Sequence, residues 1–288
     1  MSDLKFTQQG IRDGKPWWAA ETRHYIVLFD KQARRVANPA AFAVQAERRL
    51  VRIASLLGIK RDPVTKRYPL GSKMPYFVHG SGDCTHGNVD SGGIDVPLGM
   101  PVTFYRHEES HFVHFRTTGH GLPALLGEGF GSYAQAPRST RNHRMALAGL
   151  QRKVLPSISS IASDTGWWRE WRICGPILYE QAGSFVAYLF ARFGKDRFLT
   201  LCEHSQERDN LRCVRRAFRS AYGMQLKTGE KQWQTYLLSR CRQLPLRRRA
   251  SDGKWSELDL IRARVARIEG RRQEGRTNGC SRRGGRRD

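Results

Sequence analysis

No apolar run in this sequence of 288 residues approaches the roughly 20 residues that a membrane-spanning helix needs. The opening stretch, residues 1–9, has neither an apolar core nor a small-residue cleavage pattern, so no secretion signal is read there. The literal expectation is a cytoplasmic protein, exported only if the start has been misplaced. The six cysteines, Cys84, Cys174, Cys202, Cys213, Cys241 and Cys280, form no C-x-x-C pair. That excludes a zinc ribbon and a thioredoxin-type redox site, while disulfides in an exported form stay open. Cys84-Thr-His86 is read as a stray pair in a loop. No internal repeat is found, which argues against a solenoid or a propeller.

Acidic residues are also scarce: 26 Asp and Glu stand against 50 Lys and Arg, for a formal charge of +24. Residues 247–288 carry +8 of it, from 14 basic and 6 acidic side chains, so the other +16 belongs to the rest of the chain. Such a field draws anionic partners (acidic proteins, nucleic acid or a membrane surface) and says nothing of fold.

Apolar residues make up 39% of the chain, enough for a packed core at this length. Residues 24–30 are β-branched and aromatic and read as a strand, as do residues 75–79. Between them, Ala, Val and Leu recur at three and four residues from Pro39 to Leu57, with Gly58 as the stop, which predicts a helix. Residues 80–93, rich in Gly, Ser, Asp and Asn, predict a loop. Ile94-Asp-Val-Pro97 reads as a short strand whose proline suits a sheet edge. Pro101 then opens a helix to about 116, residues 117–121 break it, and Pro123 opens another to about 136. Pro176 starts a third, whose wide apolar stripe ends at Gly194. Further helices pass through Leu201, Ala217 and residues 233–238.

The expected fold is α+β and zincin-like. An N-terminal mixed α/β lobe with a small sheet spans residues 1–100, and an all-helical lobe spans 101–245, with an active-site cleft between them. A basic, disordered tail covers 246–288. Within that tail, Ile261, Val265 and Ile268 have the spacing of one short amphipathic helix.

The chemistry concentrates in Tyr105-Arg-His-Glu-Glu-Ser-His-Phe112. His107 and His111 lie four residues apart on a predicted helix, so both imidazoles leave one face and reach one metal. Glu108 points beside that metal, where it can accept a proton from water. Glu109 at an inner position and Arg106 before the first histidine are unusual charges for such a helix. His114 shares the face but lies about 10.5 Å along the axis from His107, too far for one ion, and is read as a packing residue. Glu128, in Leu125-Leu-Gly-Glu-Gly-Phe-Gly-Ser-Tyr133, is the third ligand. The break at 117–121 lets the second helix turn back, and Gly127 and Gly129 permit close helix approach. The expected cofactor is one Zn²⁺ per chain.

These residues resemble the gluzincin metallopeptidases, the group of thermolysin and the zinc aminopeptidases, and most closely bacterial peptidase MA-like domains. The likeness extends to Tyr179-Glu-Gln-Ala-Gly-Ser-Phe185, Ala217-Phe-Arg-Ser-Ala-Tyr-Gly223 and Trp233 with Tyr236-Leu237, over about residues 18–242. The departures are Glu109, Gly131 where Ala is commoner, no Trp before Glu128, and a slightly shorter gap between ligands. The resemblance implies hydrolysis of peptide bonds, with Glu108 as base and a substrate-side strand at residues 93–96. It also implies an oxyanion donor on the later helix, Tyr179 before His143 or His204. The competing reading is a nucleic-acid or anionic-surface binder with a structural or vestigial zinc site. In it Trp17, Trp18, Trp167, Trp168 and Trp171 interleave with arginine.

Overall fold

The computed structural model describes residues 6–12, 15–36, 38–80, 86–88, 92–99, 102–135, 137, 140–240 and 266. Among these, an α+β chain emerges, with a six-stranded sheet first and a run of helices after it. Two compact units are distinguished, Met1–Gly121 with Ala134–Pro137, and Leu122–Tyr133 with Arg138–Asp288.

The first unit is built on β1 (Phe6–Arg12), β2 (Lys15–Glu21), β3 (Tyr25–Phe29), β4 (Met74–His79), β5 (His86–Asn88) and β6 (Gly93–Pro97), in the order β1-β2-β3-β4-β6-β5. Neighbours β1, β2 and β3 run antiparallel, β3, β4 and β6 run parallel, and β5 returns antiparallel along β6. Period-two alternation decides which side faces in. Tyr25, Val27 and Phe29 are buried in β3, as are Met74, Tyr76 and Val78 in β4. Against this sheet lie α1 (Lys31–Val36) and α2 (Pro39–Leu57).

Local chemistry frames α2. The Asn38 side chain accepts from the backbone N–H of Ala41 at 3.0 Å, and Pro39 sits where a missing N–H costs nothing. Gly58 closes the helix in the left-handed region at φ 68°, its N–H returning to the carbonyls of Ala54 and Ser55. Leu50, Ile53 and Leu57 on the buried face contribute roughly 1.5–3 kcal/mol each through the surface they hide.

Two expectations are corrected here. Residues 80–93 are not all loop, because β5 lies among them. For the same reason β6 is not an edge strand. His86, Gly87 and Asn88 pair with Asp95, Ile94 and Gly93, so β5 takes the margin. A strand of three residues in a Gly- and Ser-rich stretch is too short to leave a period in the sequence. Strands β1 and β2 were likewise not anticipated. β1 is held by its ladder with β2, and β2 by its ladders with β1 and β3, more than by intrinsic propensity.

The remaining helices are α3 (Val102–Thr118), α4 (Ala124–Gln135), α5 (Arg141–Gln151), α6 (Asp164–Cys174), α7 (Ile177–Phe193), α8 (Lys195–His204), α9 (Leu211–Tyr222) and α10 (Leu226–Arg240), with a 3-10 turn at Ile158–Ile161. In the first unit α3 packs on α2, β5 and β6. In the second, α7 is the central element, with α5, α6, α8 and α10 against it. Ser184 of α7 joins two neighbours: His143 Nδ1 lies 2.8 Å from its hydroxyl, and Trp233 Nε1 donates to it at 3.0 Å. No disulfide joins Cys174, Cys202 and Cys213. Cys84 and the side chain of His86 lie outside what is described, as does the tail with its expected short helix, residue 266 excepted. Among the described residues no helix is long and apolar enough to cross a membrane.

Candidate metal centre

Almost every side chain of the middle of α3 is buried, from Tyr105 through Ser110 apart from the half-buried Arg106. One turn separates His107 from His111, and their rings meet edge to face with centroids 4.8 Å apart. Together with Glu128 on α4 they make the one group of three His, Cys, Asp or Glu side chains, among the described residues, arranged to hold a metal ion. One ligand-capable atom from each lies within 4.8 Å of the other two. His107 is buried, and His111 and Glu128 are half-buried. Two imidazoles and one carboxylate are donors that zinc, a borderline-soft ion, accepts, and three protein donors is the number catalytic zinc sites use.

Helix α4 is placed at both ends. The carboxylate of Asp164 accepts from the N–H of Ala124 at 2.7 Å, in the first turn, where backbone donors lack helical partners. At the other end Arg106 Nη1 donates to the carbonyls of Ala134 at 3.3 Å and Gln135 at 2.8 Å. A cation at a helix C-terminus is favourable, so Arg106 has its reason outside its own helix. Gly129, next to the proposed ligand, has no room for a side chain: a Cβ there would come within 2.8 Å of Val186 Cγ2 and 2.9 Å of the Ala182 carbonyl. The close approach expected of this glycine is therefore made, and its partner is α7.

The other odd charge has an equally specific answer. Glu109 is wholly buried, and both its oxygens accept from Nε of Arg49 on α2, at 2.8 and 2.9 Å. Arg49 is itself 3% exposed and lies over the rings of Phe42, Tyr76 and Tyr105. Burial pushes the Glu109 carboxyl up to about 7, against the pull of the guanidinium. The motif helix is thus fastened to α2 by an ion pair with aromatic walls.

A residue not singled out in the sequence also enters. The side-chain nitrogen Nε2 of Gln135, at the end of α4, lies 3.0 Å from Nδ1 of His107. That contact orients the ring; a metal held at Nε2 requires the amide in its flipped assignment, with the oxygen accepting from Nδ1–H. Gln135→Leu is expected to weaken zinc affinity about 10–100-fold while the fold melts as before, measured by competition with a chromophoric chelator. Unchanged affinity would remove Gln135 from the site.

Other sequence candidates have different surroundings. His114 is buried, with its ring near His120 and its Nε2 without a partner among the described residues, and burial holds it neutral, its pKa down at about 3. It is absent from the metal-competent group. His143 is engaged by Ser184 and by the Tyr236 ring, and burial lowers it to about 4. His204 is exposed at the end of α8. Tyr179 is half-buried near the start of α7, its ring edge-on to Trp167 at 5.5 Å. Of the five tryptophans considered for stacking, Trp17 and Trp167 are core residues. Trp18 lies under the Arg34 guanidinium, and Trp168 and Trp171 are exposed together on α6.

Residues 102–239 match the family model of the Peptidase MA superfamily, so this stretch is similar to peptidase-like domains of that superfamily. The match begins at α3 and ends within α10, and contains all three metal-competent side chains. No curated protein and no solved structure matches the chain.

Proposed function

We propose that this protein is a zinc-dependent metallopeptidase of the gluzincin type, with His107, His111 and Glu128 as ligands. The observation that carries the reading is the gathering of these three donors within 4.8 Å, on two helices of a stretch similar to peptidase domains. Zinc, when bound, polarises a carbonyl and brings the pKa of water to around 7. Glu108, next to the first ligand and nearly buried, accepts the proton of the attacking water and passes it to the leaving amine. Gln135 holds the imidazole of His107 in register. Tyr179 donates to the oxygen on which negative charge develops.

The substrate class proposed is a peptide bond. Two measurements test this together. Purified full-length protein is expected to carry about one zinc per chain by elemental analysis. It is also expected to cleave members of a mixed peptide library, to lose that activity to a chelator, and to regain it with zinc. A chain that takes up no zinc, even on reconstitution, would end the metal assignment. A zinc-loaded chain that cleaves amide or ester libraries but no peptide would keep the centre and change the bond.

A further inference from the structure

Helix α9 reads Leu-Arg-Cys-Val-Arg-Arg-Ala-Phe-Arg-Ser-Ala-Tyr. Val214, Ala217, Phe218, Ala221 and Tyr222 form its buried side. Arg212, Arg215, Arg216 and Arg219, spaced at three and four residues, form one exposed row on the opposite side. The helix is firmly framed: Asn210 accepts from the N–H groups of Arg212 and Cys213 at 3.0 and 3.1 Å, and Gly223 closes it in the left-handed region. It contains no Asp or Glu, and among the described residues none of the four guanidiniums has a hydrogen-bond or ion-pair partner. Elsewhere exposed arginines do find carboxylates, as Arg208 does at Asp164 and Arg141 at Glu180.

We infer that this row is a docking surface for the phosphate backbone of duplex nucleic acid, independent of the hydrolytic site. Four guanidiniums along about 10.5 Å of helix axis face a duplex that carries one charge per about 1.7 Å. Each planar fork binds phosphate in a two-pronged way that an ammonium cannot. A membrane surface is the less suited occupant. An interfacial helix turns its apolar face outward, whereas here that face is buried and the exposed residues of α9 are the four arginines and Ser220. Contacts to phosphate carry no sequence information, so binding through them is sequence-independent.

The test is fluorescence anisotropy of a short mixed-sequence DNA duplex titrated with the full chain across a series of salt concentrations. Three proteins are compared: wild type, R212Q/R215Q/R216Q/R219Q, and an equal-charge control, R48Q/R52Q/K60Q/R67Q, whose four exposed sites are on α2 and in the segment that follows it. Wild type is expected to bind with a steep salt dependence. The α9 variant should lower the log–log slope by about 3–4, near 0.9 for each phosphate no longer neutralised, and bind at least about ten-fold more weakly at the lower salts. The control should lose less than half as much. Circular dichroism melting checks that both variants stay folded; should the quadruple variant melt early, R212Q/R216Q is expected to lower the slope by about 2. Equal losses in control and α9 variants would reduce the row to general cationic charge and overturn the inference. So would absent binding by wild type, or a loss confined to phosphatidylserine vesicles. Zinc content and peptide cleavage should be unchanged in the α9 variant, which separates this result from the fate of the hydrolase reading.

Discussion

Glu108→Gln is expected to keep about one zinc per chain and to lose at least about 10²–10⁴-fold in kcat. The side chains are nearly isosteric, and the three metal-competent donors, His107, His111 and Glu128, are untouched by the change. What disappears is the ability to accept a proton from water and return it to the leaving group. The two readouts must part company. If zinc content falls along with turnover, the change has damaged the centre and says nothing about a base. If turnover survives with zinc in place, proton transfer is done elsewhere and the assignment of Glu108 fails. Tyr179→Phe serves as the milder comparison, since removing one oxyanion donor costs about 10²–10³-fold in kcat.

The second large effect is expected at the buried pair. Arg49→Met removes the cation and leaves the carboxyl of Glu109 without its partner, in a site that excludes water. Breaking such a pair from one side costs about 3–5 kcal/mol, whereas replacing both members with apolar groups of similar size is often neutral. Thermal melting should therefore fall by on the order of 10 °C in Arg49→Met. The double variant R49M/E109L should recover most of that loss. If the double variant melts no higher than the single one, the pair is not what α3 relies on to sit against α2. Zinc affinity is expected to follow stability here, because Glu109 lies between the two histidines on the same helix and its tether sets where they stand.

The split between what could and could not be read from the chain follows interaction range. His107 and His111 were legible because four residues is one helical turn, and α3 runs from Val102 to Thr118 where a helix over 101–116 was expected. Glu128 was singled out because a solvent-facing glutamate fits poorly between Leu126 and Phe130, and it falls in the metal-competent group. Arg106 and Glu109 looked anomalous because their partners are remote. Arg106 answers to carbonyls at the end of α4, and Glu109 to a side chain sixty residues earlier. A signal for the latter did exist: Arg49 falls on the buried face of α2, beside Ala46, Leu50 and Ile53. A cation placed there implies an anion on whatever packs against it. Gln135 gave no such sign, since a glutamine at a helix end is ordinary. The sheet was read in its central strands and missed at both margins, because β1, β2 and β5 depend on pairing that only the folded chain supplies.

The margin occupied by β5 has one more consequence. An extended polypeptide that joins a sheet bonds through the outward backbone groups of the last strand, and on this side that strand is β5, so a guest would pair with His86–Asn88 and not with β6.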